Sequence, residues 1–339
     1  MTYTTASDPA GREPVELVIP DATVPEFVLG RAHLRGGKRA LVEAGTGREL
    51  SYAQLAAAVQ QAGAWLSAQG VRPGDVLALC APNSIEFAVS WHAASSIGAI
   101  LTTVNPIATE EEIVHQLRQT GARWLVTTSP LAPALEAAAL ASGIAGTLVI
   151  GAGPEATPDA RQFEVSGSAG GAGPRPVAVS PSDVAFLPSS GGTTGLPKSV
   201  VLTHRNLVAG LCQMRLVPGV TEDDVMIAAL PLFHIFGLQY TLNLALVQGA
   251  TVVILPRFEL GAFLRAIQDH AVTRAAIAPP VVQALADSDL VGDYDLSSLR
   301  VLTCGAAPLG ISVARACARR IGCRLTQAYG LTETSGATL

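Results

Sequence analysis

Short aliphatic and β-branched runs alternate along most of the chain with stretches whose apolar positions recur at helical spacing. The runs at 40–43 and 48–50 flank Ala44, Gly45, Thr46 and Gly47, which predicts a hairpin. Ser51 is placed to cap an alanine-rich helix over 51–69 that Gly70 stops. Strands are predicted at 76–80, 100–104, 124–127 and 147–150, with helices starting near Asn83 and at a capping box over 109–112. After 184 the alternation continues with strands at 184–187, 200–203, 224–230, 251–255, 275–277, 299–303 and 324–327. Helices are predicted between them at 238–247, 260–270 and 311–321. This order predicts an α/β fold of layered, parallel-rich β-sheets flanked by helices, with right-handed crossovers. Residues 1–14 read as a frayed polar tail, and 15–339 as a domain of two interleaved α/β subdomains. The Gly-, Pro-, Ala- and Ser-rich stretch 151–181 reads as a surface linker within it.

Composition narrows the classes. Of 339 residues 49% are hydrophobic and only 14% charged, which builds a large core and excludes general disorder. The net charge of −5 with no basic block gives no electrostatic footprint for nucleic acid. Cys80, Cys212, Cys304, Cys317 and Cys323 form no C-x-x-C pair, so they read as free thiols rather than a disulfide frame or zinc site. The polar N-terminus lacks an apolar signal core, and together these features predict a cytoplasmic protein. The uncharged stretch 225–256 is long enough to span a bilayer. Pro231, Gly237, Gln239, Asn243, Gln248 and Gly249 interrupt it, so it is read as strand, loop, buried helix and strand, with no membrane span.

Candidate chemistry centres on Ser189, Ser190, Gly191, Gly192, Thr193, Thr194, Gly195, Leu196, Pro197 and Lys198. Glycines let successive backbone N–H groups turn inward as an anion nest, and a lysine adds a full charge, so the natural guest is a polyphosphate. The run is close to a P-loop, but Pro197 stands where the second glycine belongs, counting from Gly192. Apolar, β-branched residues follow rather than a helix start, so the loop reads as a clasp between two strands. Three other segments fall at the carboxyl ends of predicted strands, where open α/β sheets bind ligands. One places His234 in the apolar run Leu232, Phe233, His234, Ile235, Phe236, Gly237. The second is the small-residue turn Gly305, Ala306, Ala307 and Pro308. The third is Gln327, Ala328, Tyr329, Gly330, Leu331, Thr332 and Glu333, an aromatic, a hydroxyl and a carboxylate in close succession.

The clasp, together with Thr203, His204, Arg205 and Asn206, resembles the phosphate-binding signature of the adenylate-forming (acyl-CoA synthetase and luciferase) superfamily. The later segments resemble 4-coumarate/cinnamate–CoA ligase-like enzymes, and the resemblance runs from about Leu41 to the end. It implies ATP-dependent activation of an aryl or medium acyl acid to acyl-AMP and then acyl-CoA, with ATP, Mg2+ and coenzyme A as cofactors. It implies that the clasp and Lys198 hold the β- and γ-phosphates, Tyr329 the adenine, Thr332 the α-phosphate and Glu333 the magnesium ion. By the same resemblance His234 meets the substrate carboxylate, and Phe236, Gly237, Tyr240, Thr303, Ala306 and Gly330 wall the acid pocket, with Gly305, Ala306, Ala307, Pro308, Gln327 and Ala328 at the nucleotide. Departures from the pattern are Gly191 for a hydroxyl residue, Ser199 for a glycine, and Thr303 where phenol-recognising relatives often carry a lysine. The chain ends six residues after Glu333, where the superfamily continues into a small lid domain with the adenylation lysine. The resemblance thus implies a truncated form with an incomplete coenzyme A site, poor alone at the full reaction. An acid-adenylating enzyme loading a carrier-protein thiol, and a degenerate, non-catalytic nucleotide-binding protein, stay open as alternatives.

Overall fold

The computed structural model describes residues 2–4, 16–151, 161–163, 165, 177–191, 197–216 and 219–338. Two seven-stranded sheets organise them. The first runs Leu202–Thr203, Val184–Phe186, Ile100–Thr103, Val76–Cys80, Trp124–Thr127, Gly146–Ile150, Arg161–Phe163. It is parallel except where Leu202–Thr203 pairs antiparallel with Val184–Phe186. The second runs Arg324–Gln327, Val301–Cys304, Arg274–Ile277, Val225–Ala228, Thr251–Ile254, Arg39–Glu43, Glu49–Ser51. Only its hairpin edge, Glu49–Ser51 on Arg39–Glu43, is antiparallel. Of these two sheets the chain enters the second first, at Arg39–Glu43, then builds the first and returns.

Local signals set the helices. Ser51 caps Tyr52–Gln69 by accepting from the Gln54 N–H, and Gly70 ends it at φ 106°. A left-handed residue there suits glycine, which has no Cβ to clash. Thr109 and Glu112 form the reciprocal capping box of Glu110–Thr120. Helix Ile85–Ser96 is buried on nearly every side, with Trp91 and Phe87 fully enclosed and Trp91 edge-on to Phe186 at 6.0 Å. Apolar residues dominate it, and the polar Glu86, Ser90, His92 and Ser95 are buried along with them. Among the described residues no helix is long and apolar enough to cross a membrane.

Two expectations about irregular segments need correction. Thr2–Thr4, read as frayed tail, pairs antiparallel with Glu16–Val18, which the strand preference of Thr and Tyr allows. Residues 5–15 lie outside the described residues. Within the stretch read as a linker, Arg161–Phe163 adds a parallel edge strand to Gly146–Ile150. Phe163 packs on Trp65 at 5.4 Å between centroids, so one aromatic side chain anchors that strand to the core. Residues 152–160, 164 and 166–176 of that stretch lie outside the described residues.

At the amino-terminal edge of the second sheet, the buried Asp224 carboxylate accepts from Thr273 Oγ1 (2.7 Å), Arg274 Nε (2.8 Å) and Arg300 (2.6 Å). It ties three neighbouring strands together and leaves the carboxyl edge for ligands.

Candidate active site

The loop that follows Val225–Ala228 carries His234, and its shape is imposed from two sides. Asn83, 5% exposed and just beyond the first sheet's strand Val76–Cys80, reaches across to it. Its amide nitrogen donates to the carbonyls of Leu230 (2.9 Å), Ala228 (3.2 Å) and Leu255 (3.2 Å), and its oxygen accepts from the Leu232 N–H (2.7 Å). Thr103, at the end of the neighbouring strand, donates to the Phe233 carbonyl at 2.6 Å. From the other side, Gly237 packs on the loop. A Cβ there would lie 2.2 Å from the Pro231 carbonyl oxygen, so only glycine allows this approach.

The chain continues as a π-helical segment, Phe236–Asn243, rather than the regular helix expected over 238–247. The Leu244 N–H reaches the Gln239 carbonyl five residues back. Such segments are rare and recur at functional sites. A buried chain of amides holds this one: Asn243 Nδ2 donates to Gln239 Oε1 (2.7 Å), and Gln239 Nε2 donates to the Leu207 carbonyl (3.0 Å). Leu207 belongs to helix His204–Leu216, which leaves the clasp directly.

One cavity of about 250 Å³ collects nine of the predicted residues. His234, Phe236, Gly237, Gly305, Ala306, Ala328, Tyr329, Gly330 and Thr332 line it, joined by Leu331, named in the third segment without a role, and by Gly336, which the sequence reading missed. Ala306 holds φ at 73°, a conformation costly for a residue with a Cβ and common where a site imposes it. The Phe236 ring packs closely on Gly305, where a Cβ would come within 2.9 Å of it. Ala307, Pro308, Gln327 and Glu333 stay exposed beside this cavity without lining it.

Tyr240 and Thr303 correct the expected pocket wall. Both are buried, 4% and 6% exposed, and they bond to each other at 2.9 Å instead of lining the cavity. The π-helical turn directs Tyr240 behind Phe236, at 5.4 Å between ring centroids, toward the strand Val301–Cys304.

A second cavity of about 180 Å³ shares His234 with the first. Its other walls include Ser189, Gly191 and Pro197 of the clasp, with Thr103, Asn105, Glu112, His115 and Gln116. Ser189 Oγ and His115 Nε2 are closed to solvent with no hydrogen-bond partner among the described residues. Buried polar atoms are normally paired, so these two are apt contacts for a ligand. The clasp is a strand-to-strand connection, as its sequence indicates: Ser189–Ser190 pairs antiparallel with Lys198–Ser199. Ser199 donates to Gln119 at 2.9 Å, which anchors the outgoing strand to helix Glu110–Thr120. Lys198 is exposed, and among the described residues no carboxylate pairs with it. Gly192, Thr193, Thr194 and Gly195 lie outside the described residues. The Ser189–Ser190 strand lies beside the Thr332–Thr334 turn, so clasp, hydroxyl and carboxylate share one edge.

His234 stands at the rim between the two cavities. Its residue surface remains open to solvent, while the surrounding walls crowd the ring and lower its pKa below the usual histidine value. The imidazole is therefore neutral at physiological pH and presents one donor and one acceptor.

The clasp, a histidine between two cavities and a small-residue turn against an aromatic thus gather at the carboxyl edges of the two sheets. The chain belongs to the AMP-binding enzyme family, whose model matches residues 30–339. It is 36% identical over 328 residues to 4-coumarate–CoA ligase 5 of Oryza sativa subsp. japonica, covering 93% of this chain and 59% of that relative. The fold matches a red-emitting luciferase from Phrixothrix hirtus with a TM-score of 0.83 at 26% identity, over 95% of this chain and 63% of that one. It matches an anthranilate CoA ligase in complex with anthranoyl-AMP with a TM-score of 0.81 at 25% identity, over 94% of this chain and 61% of that one. The layered sheets are thus those of an adenylate-forming N-terminal domain, and the chain spans about 59% of the length of the curated relatives it matches.

Proposed function

We propose that the protein uses ATP to convert a carboxylic acid to its acyl adenylate, and that the acyl group then passes to the thiol of coenzyme A. The observation that carries this reading is His234 at the junction of two cavities, one against the nucleotide-side turns and one against the clasp. In the first step a carboxylate oxygen bonds to the α-phosphorus and the bond to the β-phosphate breaks, releasing pyrophosphate. Anion approaches anion, so the work is positioning and charge stabilisation. The clasp amides and Lys198 hold the departing phosphates, the Thr332 hydroxyl donates to the α-phosphate, and Tyr329 offers a flat face to adenine. Neutral His234 donates to the reacting oxygens without adding a charge that would pin the carboxylate. Magnesium supplies charge neutralisation when bound. Among the described residues no group of three or more His, Cys, Asp and Glu forms a cation cage. Glu333 would hold the ion together with phosphate oxygens, the usual arrangement for Mg2+. In the second step the thiol sulfur bonds to the acyl carbon and AMP leaves; the cavity beside the clasp offers that approach to His234.

Acid-dependent exchange of labelled pyrophosphate into ATP tests the first step, and acceptance by coenzyme A against a holo-carrier protein tests the second. Exchange that requires an acid and falls with Lys198→Ala supports the reading. No exchange with a broad acid panel, together with no binding of acyl-adenylate mimics, would refute it.

A further inference from the structure

We infer that the acid is apolar at the end remote from its carboxylate, carrying no hydroxyl, amino or charged group there. The inference rests on the acid-activating reading and names the substrate class of that site. The cavity residues Leu230, Pro231, Ile235, Phe236, Gly237 and Gly305 present no side-chain donor or acceptor, and its hydroxyl side chains, Tyr329 and Thr332, are those that the proposed function gives to the nucleotide. The polar atoms that stand closest behind this wall are already engaged with one another. Tyr240 OH and Thr303 Oγ1 are 2.9 Å apart, Thr303 Oγ1 and Thr326 Oγ1 are 3.2 Å apart, and Thr326 Oγ1 donates to the Leu302 carbonyl at 3.4 Å. Read in one direction, Tyr240 donates to Thr303, Thr303 to Thr326, and Thr326 to the backbone, so each hydroxyl proton is used. Burial also raises the Tyr240 pKa, against the lowering effect of its Thr303 bond, which keeps the phenol neutral. Phe236 lies between this chain and the cavity, packed on both Tyr240 and Gly305. A polar group on the far end of the acid would lose its water and meet the Phe236 ring. The lost hydrogen bonds set the penalty, and an apolar pocket rejects an added hydroxyl by about a hundredfold at most.

The test compares two acyl-adenylate mimics that differ in one hydroxyl, cinnamoyl- and 4-coumaroyl-sulfamoyl adenosine, in which the sulfamate stands in for the α-phosphate. Each is titrated calorimetrically into the 339-residue chain, with sulfamoyl adenosine lacking an acyl group as reference. The cinnamoyl compound is expected to bind about tenfold to a hundredfold more tightly. Equal or tighter binding of the 4-coumaroyl compound would overturn the inference while leaving the acid-activating reading intact. Failure of both to bind better than the reference would instead overturn that reading, and the inference with it. Tyr240→Phe is expected to leave the ratio of the two affinities unchanged, because the Tyr240 hydroxyl does not face the acid. A selective loss of 4-coumaroyl binding in Tyr240→Phe would show that it does, and would also overturn the inference.

Discussion

Asn83→Ala removes the clip between the first sheet and the His234 loop. In the native protein two amide hydrogens serve three carbonyls at 2.9–3.2 Å, and the amide oxygen accepts from the Leu232 N–H at 2.7 Å. Counting this as three effective bonds at about 1 kcal/mol each, and adding part of the cost of a buried, unpaired N–H, gives a loss of about 3.5 kcal/mol. Unfolding entropy is about 2.1 cal/mol/K per residue, so about 0.7 kcal/mol/K for a chain of 339 residues. The expected fall in Tm is then about 5 °C, read by scanning calorimetry. Asn83→Asp is expected to be worse at neutral pH. It keeps an acceptor for Leu232 but turns a carboxylate toward three carbonyl oxygens, and acid should relieve part of the damage. Because the clip shapes the loop before His234, both variants should also weaken binding of an acyl-adenylate mimic beyond what lower stability explains. A Tm drop below about 1 °C with native affinity would refute the claim that Asn83 carries the loop.

Three further outcomes follow from the geometry. A Cβ at Gly191 meets nothing within 4 Å and its φ lies outside the left-handed region, so Gly191→Ser fits; a hydroxyl-to-phosphate bond should tighten ATP binding about fivefold in calorimetry, and unchanged or weaker binding would contradict the clasp assignment. Gly237→Ala should cost about 3 kcal/mol or distort the loop, because its methyl would sit 2.2 Å from the Pro231 carbonyl oxygen; full retention of Tm and ligand affinity would count against that packing. His92 is fully buried, and desolvation lowers its pKa to about 4 despite a raising contribution from Asn243. The unfolded chain therefore binds the extra proton first, so stability present above the unfolded value of about 6.5 should be lost as pH falls toward 4, by up to about 3 kcal/mol. Urea titrations from pH 7 to pH 4 should show this slope and its flattening in His92→Gln; an identical slope in the variant would assign it elsewhere.

Many of the strands were legible because they are short apolar runs, some closed by glycine, as Gly146–Ile150 is by Gly151 and Val301–Cys304 by Gly305. The helices Tyr52–Gln69 and Glu110–Thr120 announced themselves through Ser51 and the Thr109–Glu112 box. The clasp was legible for the same local reason: apolar, β-branched residues after Lys198 forbid the helix that a P-loop needs. What escaped were facts of tertiary contact. Asn83 looked like an ordinary helix start, and nothing in its neighbours marks the carbonyls it serves some 145–172 residues away. Only its place at a strand's carboxyl end could have singled it out. Tyr240 was assigned to the pocket wall by the resemblance alone. The π-helical segment turns it behind the Phe236 ring instead, toward Thr303. Arg161–Phe163 hid in a stretch whose composition reads as loop, since one edge strand needs only a single well-placed aromatic such as Phe163.

The positions of Asn83 and Thr103 explain why this site spans two sheets rather than resting on one. His234, Phe236 and Gly237, which the proposed function places at the acid, follow a strand of the second sheet, whereas the clasp leaves a strand of the first. Phosphate and carboxylate must meet within bonding distance, so error in the relative placement of the sheets passes directly into the reaction geometry. Both side-chain clips cross that gap, and both hold backbone carbonyls of the loop before or around His234. Gln116 braces the same strand end by donating to Thr102 Oγ1 and the Thr103 carbonyl, both at 2.9 Å. Thr102 in turn donates to the Leu187 carbonyl at the entry to the clasp, at 2.8 Å. One strand end, Thr102 and Thr103, therefore references both halves of the site. Thr102→Val should then weaken nucleotide binding through the clasp and Thr103→Val the acid side through the loop, each with volume nearly conserved. Mimics carrying only the phosphate part or the whole acyl adenylate would separate the two effects, and identical losses in both variants would show that the strand end carries no such division.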